Sequence, residues 1–62
     1  MNTIQTKTLR SSLGDVLNKT FYRSESFIIE RRGDPIAVLV SMSEWRRIEQ
    51  AFRDLDKLRV KS

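Results

Sequence analysis

Residues 27–41 contain the feature that most restricts what this chain can fold into. Two apolar, largely β-branched runs, at 27–29 and 36–40, are separated by a turn that contains Gly33 and Pro35. This pattern predicts a β-hairpin in which Gly33 adopts a positive φ and Pro35 lies at the start of the second strand. The second strand is apolar on both faces. We therefore expect a helix to cover one face and a second copy of the chain to cover the other.

The segments on either side of the hairpin have helical periodicity. A short extended piece at residues 1–6 leads into a first helix, which we expect Thr6 or Thr8 to cap. The apolar stripe of this helix consists of Leu9, Leu13, Val16, Leu17, Thr20 and Phe21. A second helix is predicted to begin near Ser43, with Ser41 as a competing cap. Its stripe consists of Trp45, Ile48, Ala51, Phe52, Leu55 and Leu58. Together these segments predict an α+β fold, with a small antiparallel sheet and two helices.

The chain has 62 residues and contains neither Cys nor His. A domain this small buries only about 60% of the surface that the unfolded chain exposes. Natural proteins below roughly 70–80 residues usually add disulfides, a metal or a partner subunit. Disulfides are excluded and a zinc site is not expected, so we predict a homodimer with Ile29, Val38 and Val40 at its interface. The same absences argue against an enzyme or a cofactor-dependent protein.

The charge of the chain favours a polyanionic partner. Twelve Lys and Arg against eight Asp and Glu give a net charge of +4. A net positive domain attracts nucleic acid or an anionic membrane. A membrane partner is not favoured, because the sequence contains neither a long apolar run nor a signal-peptide core. The excess charge favours a nucleic-acid partner, with simple solubility as the alternative explanation. The absence of cysteine and of an export signal predicts a cytoplasmic protein.

Three stretches of the chain resemble the Phd/YefM antitoxins of type II toxin-antitoxin systems. Residues 8–18, Thr-Leu-Arg-Ser-Ser-Leu-Gly-Asp-Val-Leu-Asn, resemble the N-terminal helix of that family. Residues 28–41 resemble its hairpin, with an apolar strand, a basic pair, Gly, a polar residue and a Pro-Ile-Ala-Val-Leu-Val-Ser strand. Ser43-Glu44-Trp45, followed by Ile48, resembles the start of its second helix. The order and spacing of the three stretches, over residues 3–52, carry the resemblance.

The resemblance implies that residues 1–52 form a DNA-binding and dimerisation domain. Such antitoxins bind operator DNA as homodimers, which can assemble further on the DNA, and repress their own operon. By position, Arg10 and Arg31 match the basic residues expected at DNA, and the neighbours of Arg10 are candidate phosphate contacts. The predicted DNA-binding residues are Lys7, Thr8, Arg10, Ser11, Arg31 and Arg32.

The resemblance also implies a cognate toxin as a partner. Family members usually carry a longer C-terminal segment that wraps the toxin, so we expect a short or differently organised segment at residues 53–62. The large apolar residues at this end are either dimer core or toxin-binding surface. They are Phe52, Leu55, Leu58 and Val60.

Two other functions are weighed against this one. A dimeric protein-interaction module, similar to an orphan antitoxin, would keep a protein partner without binding DNA. An RNA-binding chaperone is disfavoured because Trp45 and the three Phe residues all fall on apolar stripes, which would leave no exposed aromatic ring for base stacking.

Overall fold

The computed structural model describes the backbone of residues 1–60 and the side chains of residues 1–57. The elements, in chain order, are β1 (Asn2–Gln5), α1 (Thr6–Ser11), α2 (Leu13–Arg23), β2 (Phe27–Arg31), β3 (Asp34–Leu39) and α3 (Met42–Val60). The strands form one sheet in the order β1-β2-β3. The predicted α+β class and the hairpin are confirmed.

The sheet is mixed, so the prediction of a small antiparallel sheet is wrong for β1. Strand β1 pairs with β2 in parallel, from Asn2 opposite Phe27 to Gln5 opposite Glu30, while β2 and β3 are antiparallel. The helical segment between β1 and β2 explains the difference. It returns the chain to the end of the sheet where β1 began, as a crossover between parallel strands must.

The predicted first helix is broken at Ser12, so the described part of the chain contains three helices and not two. Ser12 has φ −125° and ψ 24°, outside the helical range. Its N–H donates to the carbonyls of Thr8, at 3.0 Å, and Leu9, at 3.2 Å, and its own carbonyl accepts from Val16 N–H at 2.9 Å. Ser12 therefore ends α1 and begins α2, and the two helices are separate segments.

The helix starts differ in how they are capped. Helix α1 begins at Thr6 directly after Gln5, without a side-chain cap, so the prediction that Thr6 or Thr8 caps it is wrong. Gln5 occupies the cap position, and its side chain bonds Glu30 instead of the helix. At α3, Ser41 Oγ accepts a hydrogen bond from Glu44 N–H at 3.2 Å, which confirms Ser41 over Ser43 as the cap.

The hairpin turn contains only two residues. Arg31 lies opposite Asp34, which leaves Arg32 and Gly33 in the loop. Their φ angles are 53° and 84°, and positive φ at both positions defines a type I′ turn. The prediction for Gly33 is confirmed. Arg32 was not predicted to be left-handed, a conformation that costs an L-residue roughly 1–2 kcal/mol.

A bulge follows the turn in β3. Pro35 pairs with Glu30 and Ala37 with Ile29, so Ile36 is the extra residue between them. Pro35 is the second residue of β3, close to its predicted place at the strand start. Its missing N–H is tolerated because β3 is an edge strand and the ladder is interrupted here.

The core of a single chain is very small. Among the described side chains, the buried apolar residues are Val16 and Phe27. Thr20 is also buried, and its Oγ1 donates to the Val16 carbonyl at 3.0 Å. Of the other large members of the first stripe, Leu9 is half-buried and three remain exposed; they are Leu13, Leu17 and Phe21. One chain therefore covers only part of its apolar surface.

The dimensions of the chain also show that it is loosely packed. The radius of gyration is 14.8 Å, whereas a compact domain of this length would have about 11 Å. The accessible surface is 5392 Å², against about 4,200 Å² for a compact monomer of this mass. A single chain is therefore more open than a compact domain of its length.

Candidate nucleic-acid interface

The parallel register brings α1 and the hairpin turn to one end of the sheet. Gln5 and Glu30 form the last pair of β1 and β2. Thr6, the first residue of α1, follows Gln5, and Arg31, the last residue before the turn, follows Glu30. Helix α1 also packs against both β1 and β2. We call this region the basic end, which consists of α1 and residues 30–34.

Four exposed cations lie at the basic end. Lys7 and Arg10 are on α1, and Arg31 and Arg32 are at the turn. Among the side chains that the structure describes, none of these four takes part in an ion pair. The ion pairs lie elsewhere; they are Asp15–Lys19 at 3.2 Å, Glu44–Arg47 at 3.2 Å and Glu49–Arg53 at 3.9 Å. The cations of the basic end therefore have their charge available for an external anion.

Two acidic residues moderate the charge of the basic end. Glu30 is half-buried, and its Oε1 accepts a hydrogen bond from Gln5 Nε2 at 2.9 Å. Asp34 is exposed on the other side of the turn. The local balance is still positive, and it is concentrated on a short helix and a tight turn.

The predicted hydroxyl contacts lie on the same helix. Thr8 and Ser11 are both exposed. Ser11 Oγ donates to the Thr8 carbonyl at 3.0 Å. The Ser11 hydroxyl must give up this bond before it can donate to a phosphate, whereas its oxygen can accept without any change.

The residues predicted for the dimer interface differ in exposure. Val38 is 57% exposed on β3, whereas Ile29 and Val40 are half-buried. Strand β3 is the last strand of the sheet on its side, so its outer edge has no partner among the described strands. The exposed apolar residue and the open edge lie on the same strand.

Helix α3 presents a second apolar surface. Trp45 is 45%, Phe52 63% and Leu55 55% exposed. The side chains of Leu58 and Val60 lie outside the described residues. The expectation that every large aromatic ring is buried is therefore wrong for a single chain, and the argument against RNA binding loses that support.

An aromatic pair at the end of α2 was not singled out by the sequence. The rings of Phe21 and Tyr22 meet edge to face, with centroids 4.8 Å apart, and both side chains are largely exposed. Phe21 was assigned to the apolar stripe and Tyr22 was given no role. Adjacent residues on a helix point in different directions, so periodicity alone gave no signal of the pair.

Within the described residues, no group of three or more acidic, His or Cys side chains is placed to hold a metal ion. In the same part of the chain, no helix is both long enough and apolar enough to span a bilayer.

Comparison with known families decides what kind of protein has this architecture. The whole chain, residues 1–62, matches the family model described as antitoxin Phd_YefM, type II toxin-antitoxin system. This chain belongs to the Phd/YefM antitoxins. Family membership confirms the resemblance found in the sequence, and it also confirms that the antitoxin is not an enzyme.

Two solved structures resemble the antitoxin over most of its length. One is antitoxin Phd from phage P1 in complex with its operator DNA inverted repeat, at 34% identity and a TM-score of 0.78, covering 89% of this chain and 88% of that chain. The other is Phd truncated to residue 57, at 34% identity and a TM-score of 0.78, covering 90% of this chain and 98% of that chain. No curated protein sequence matches the antitoxin.

Proposed function

We propose that this antitoxin binds operator double-stranded DNA as a homodimer through its basic end and thereby represses its own operon in the cytoplasm. The observation that carries the proposal is the group of cations at the basic end that form no ion pair among the side chains of residues 1–57. They are Lys7, Arg10, Arg31 and Arg32. Phosphate contacts from such residues supply affinity and orientation, and Arg can also read guanine edges. A Phd relative of the same fold is known in complex with its operator.

The surface area of the chain supports the homodimer. The chain exposes about 1,200 Å² more than a compact monomer of its mass. A standard interface buries about 800 Å² on each partner, so a second copy can account for the excess. The open edge of β3, which carries the exposed Val38 and leads into Val40, is the proposed site of pairing. Ile29 lies on the central strand β2 opposite Ala37, on the other face of the sheet from Val38, so it would take part only if the second copy also covers that face. A two-fold dimer would present two basic ends to an inverted repeat.

We also propose that the antitoxin neutralises a cognate toxin through the C-terminal part of α3. Residues 1–52 would serve DNA binding and dimerisation, and residues 53–62 would serve toxin binding. Phe52 and Leu55 lie at the boundary and offer large exposed apolar side chains, which are the anchors that helix-in-groove recognition requires. Leu58 and Val60 continue the same apolar pattern in the sequence.

Duplex titrations test the DNA-binding proposal. The probe is a fluorescently labelled duplex of the DNA upstream of the antitoxin's own gene, with a scrambled duplex and single-stranded RNA as competitors. We expect the upstream duplex to resist both competitors and log K to fall linearly with log salt, by about 0.9 for each phosphate contact. Equal competition by the scrambled duplex or by RNA would contradict operator recognition.

The alternative is a protein-interaction module that binds no DNA, and the exposed stripe of α3 favours it independently of charge. Co-expression with the reading frame adjacent to the antitoxin gene separates the two functions. The interaction module would be supported if the antitoxin relieves the growth defect caused by the adjacent gene product and forms a stable complex with it, but binds the upstream and scrambled duplexes equally. Rescue together with operator binding supports the antitoxin role in full.

A further inference from the structure

The hairpin turn carries a residue that its backbone geometry does not favour. A type I′ turn requires positive φ at both central residues and strongly prefers Asn, Asp or Gly at the first of them. This position is Arg32, with φ 53°. Gly33, at φ 84°, satisfies the second position without strain. An exchange to Asn would produce the Asn-Gly pair that this turn prefers, so Arg32 lowers stability relative to Asn at this position.

The Arg32 side chain is placed where it can contact a ligand at the basic end. Its side chain is exposed, and it takes part in none of the ion pairs found among residues 1–57. The turn has no residue beyond the two that reverse the chain, because Arg31 already pairs with Asp34. The guanidinium therefore extends from a short, stiff loop at the same end of the sheet as α1.

The length of α1 explains why a flanking contact would be needed. Six residues of helix are about 9 Å long, which spans only a few base pairs. A reading element this short has little intrinsic control over its register and tilt on a duplex. Contacts to the phosphate backbone fix register and orientation without reading sequence.

We propose that Arg32 is a positioning residue, whose guanidinium contacts a phosphate beside the bases read by α1, and that its left-handed backbone is the structural cost of holding it on a rigid tip. This proposal rests on the proposed DNA binding. It assigns Arg32 to positioning and leaves sequence discrimination to other residues of the basic end.

The test substitution is Arg32→Asn, which relieves the backbone and removes the cation. At matched protein concentration we expect the melting temperature to rise by roughly 4 °C. We also expect weaker binding to the upstream duplex. The salt slope, which is the slope of log K against log salt concentration, should be smaller in magnitude by about one. The ratio of affinities for the upstream and scrambled duplexes should stay unchanged. Arg32→Lys keeps both the charge and the strain, and should retain the salt slope and the melting temperature.

A matched control removes a cation at the opposite end of the sheet. Arg23 is exposed in the last turn of α2, which leads towards the start of β2. Arg23→Asn should leave the salt slope unchanged. An unchanged duplex affinity in Arg32→Asn, a changed affinity ratio, or no gain in melting temperature would each overturn the proposal. Absence of duplex binding by the unsubstituted antitoxin would instead overturn the proposed function.

Discussion

Gln5 and Glu30 face each other in the last pair of the parallel strands, and Gln5 Nε2 donates to Glu30 Oε1 at 2.9 Å. Gln5 directly precedes α1 and Glu30 directly precedes Arg31, so the hydrogen bond holds the Glu30 carboxylate among the cations of the basic end. An exposed bond of this kind contributes only about 0.5–1.5 kcal/mol to stability. Its larger consequence is electrostatic, because Glu30 lowers the positive potential at the proposed DNA surface.

Glu30→Gln should strengthen duplex binding. The amide keeps an oxygen that can accept from Gln5, and the substitution removes one negative charge beside Arg31. At low salt we expect affinity to rise roughly two- to fivefold, and the gain should shrink at high salt. Fluorescence anisotropy at two salt concentrations measures it. Asp15→Asn, on α2, is the control for net charge, and an equal gain from both substitutions would contradict a local effect.

Ser24→Gly should stabilise the fold. Ser24 has φ 55° after the end of α2, the left-handed conformation that commonly ends a helix, and Glu25 N–H donates back to the Lys19 carbonyl at 3.4 Å. Glycine adopts this conformation without the steric cost of a Cβ, so we expect a gain of about 1 kcal/mol in chemical denaturation. Ser26→Gly is the control. The φ of Ser26 is not positive, so glycine there should lower stability slightly.

Gly14→Ala tests whether a partner chain approaches the start of α2. Within one chain, a Cβ at Gly14 meets nothing within 4 Å. Alanine in a helix is favoured over glycine by up to about 1 kcal/mol, so thermal unfolding at fixed concentration should shift upward. A loss of stability that depends on protein concentration would show instead that a second copy packs against this glycine.

Val38→Lys should dissociate the homodimer. Val38 pairs with Ile28 inside the hairpin and is more than half exposed on the open strand. A lysine there places charge on the edge that we propose pairs with a second copy, and charged edges are a common natural means of preventing strand association. Sedimentation velocity should give a dimer for the unsubstituted chain and a monomer for Val38→Lys. Val38→Thr keeps the β-branched shape and should remain dimeric; equal masses for all three would contradict the proposed interface.

The hairpin was predictable from the sequence, but the direction of β1 was not. The apolar runs and Gly33 defined β2, β3 and the turn, because strand pattern and turn chemistry are local. Whether β1 runs parallel to β2 depends on where the intervening helices return the chain. Periodicity does not contain that information, although a helix between two strands is itself a signal of a parallel crossover.

The sequence suggested which residues form the candidate site, but not where they lie relative to one another. The resemblance selected Arg10 and Arg31, and the parallel register explains why they lie at the same end of the sheet. Arg32 adopts a positive φ because the turn has only two residues. The turn length is set by the pairing of Arg31 with Asp34, which the sequence composition does not reveal. The first apolar stripe was predicted on one continuous helix, whereas the break at Ser12 leaves Leu9 on α1 and the other members on α2.

The central claim is that the basic end binds duplex DNA, and Arg10→Ala tests it most directly. Fluorescence anisotropy with the upstream duplex, at matched salt, should show roughly a ten- to hundredfold loss of affinity for Arg10→Ala. Sedimentation should show that the dimer remains, and Arg23→Ala should bind as the unsubstituted antitoxin does. If Arg10→Ala keeps its affinity and its salt slope at matched salt, the DNA surface lies elsewhere and the account is wrong.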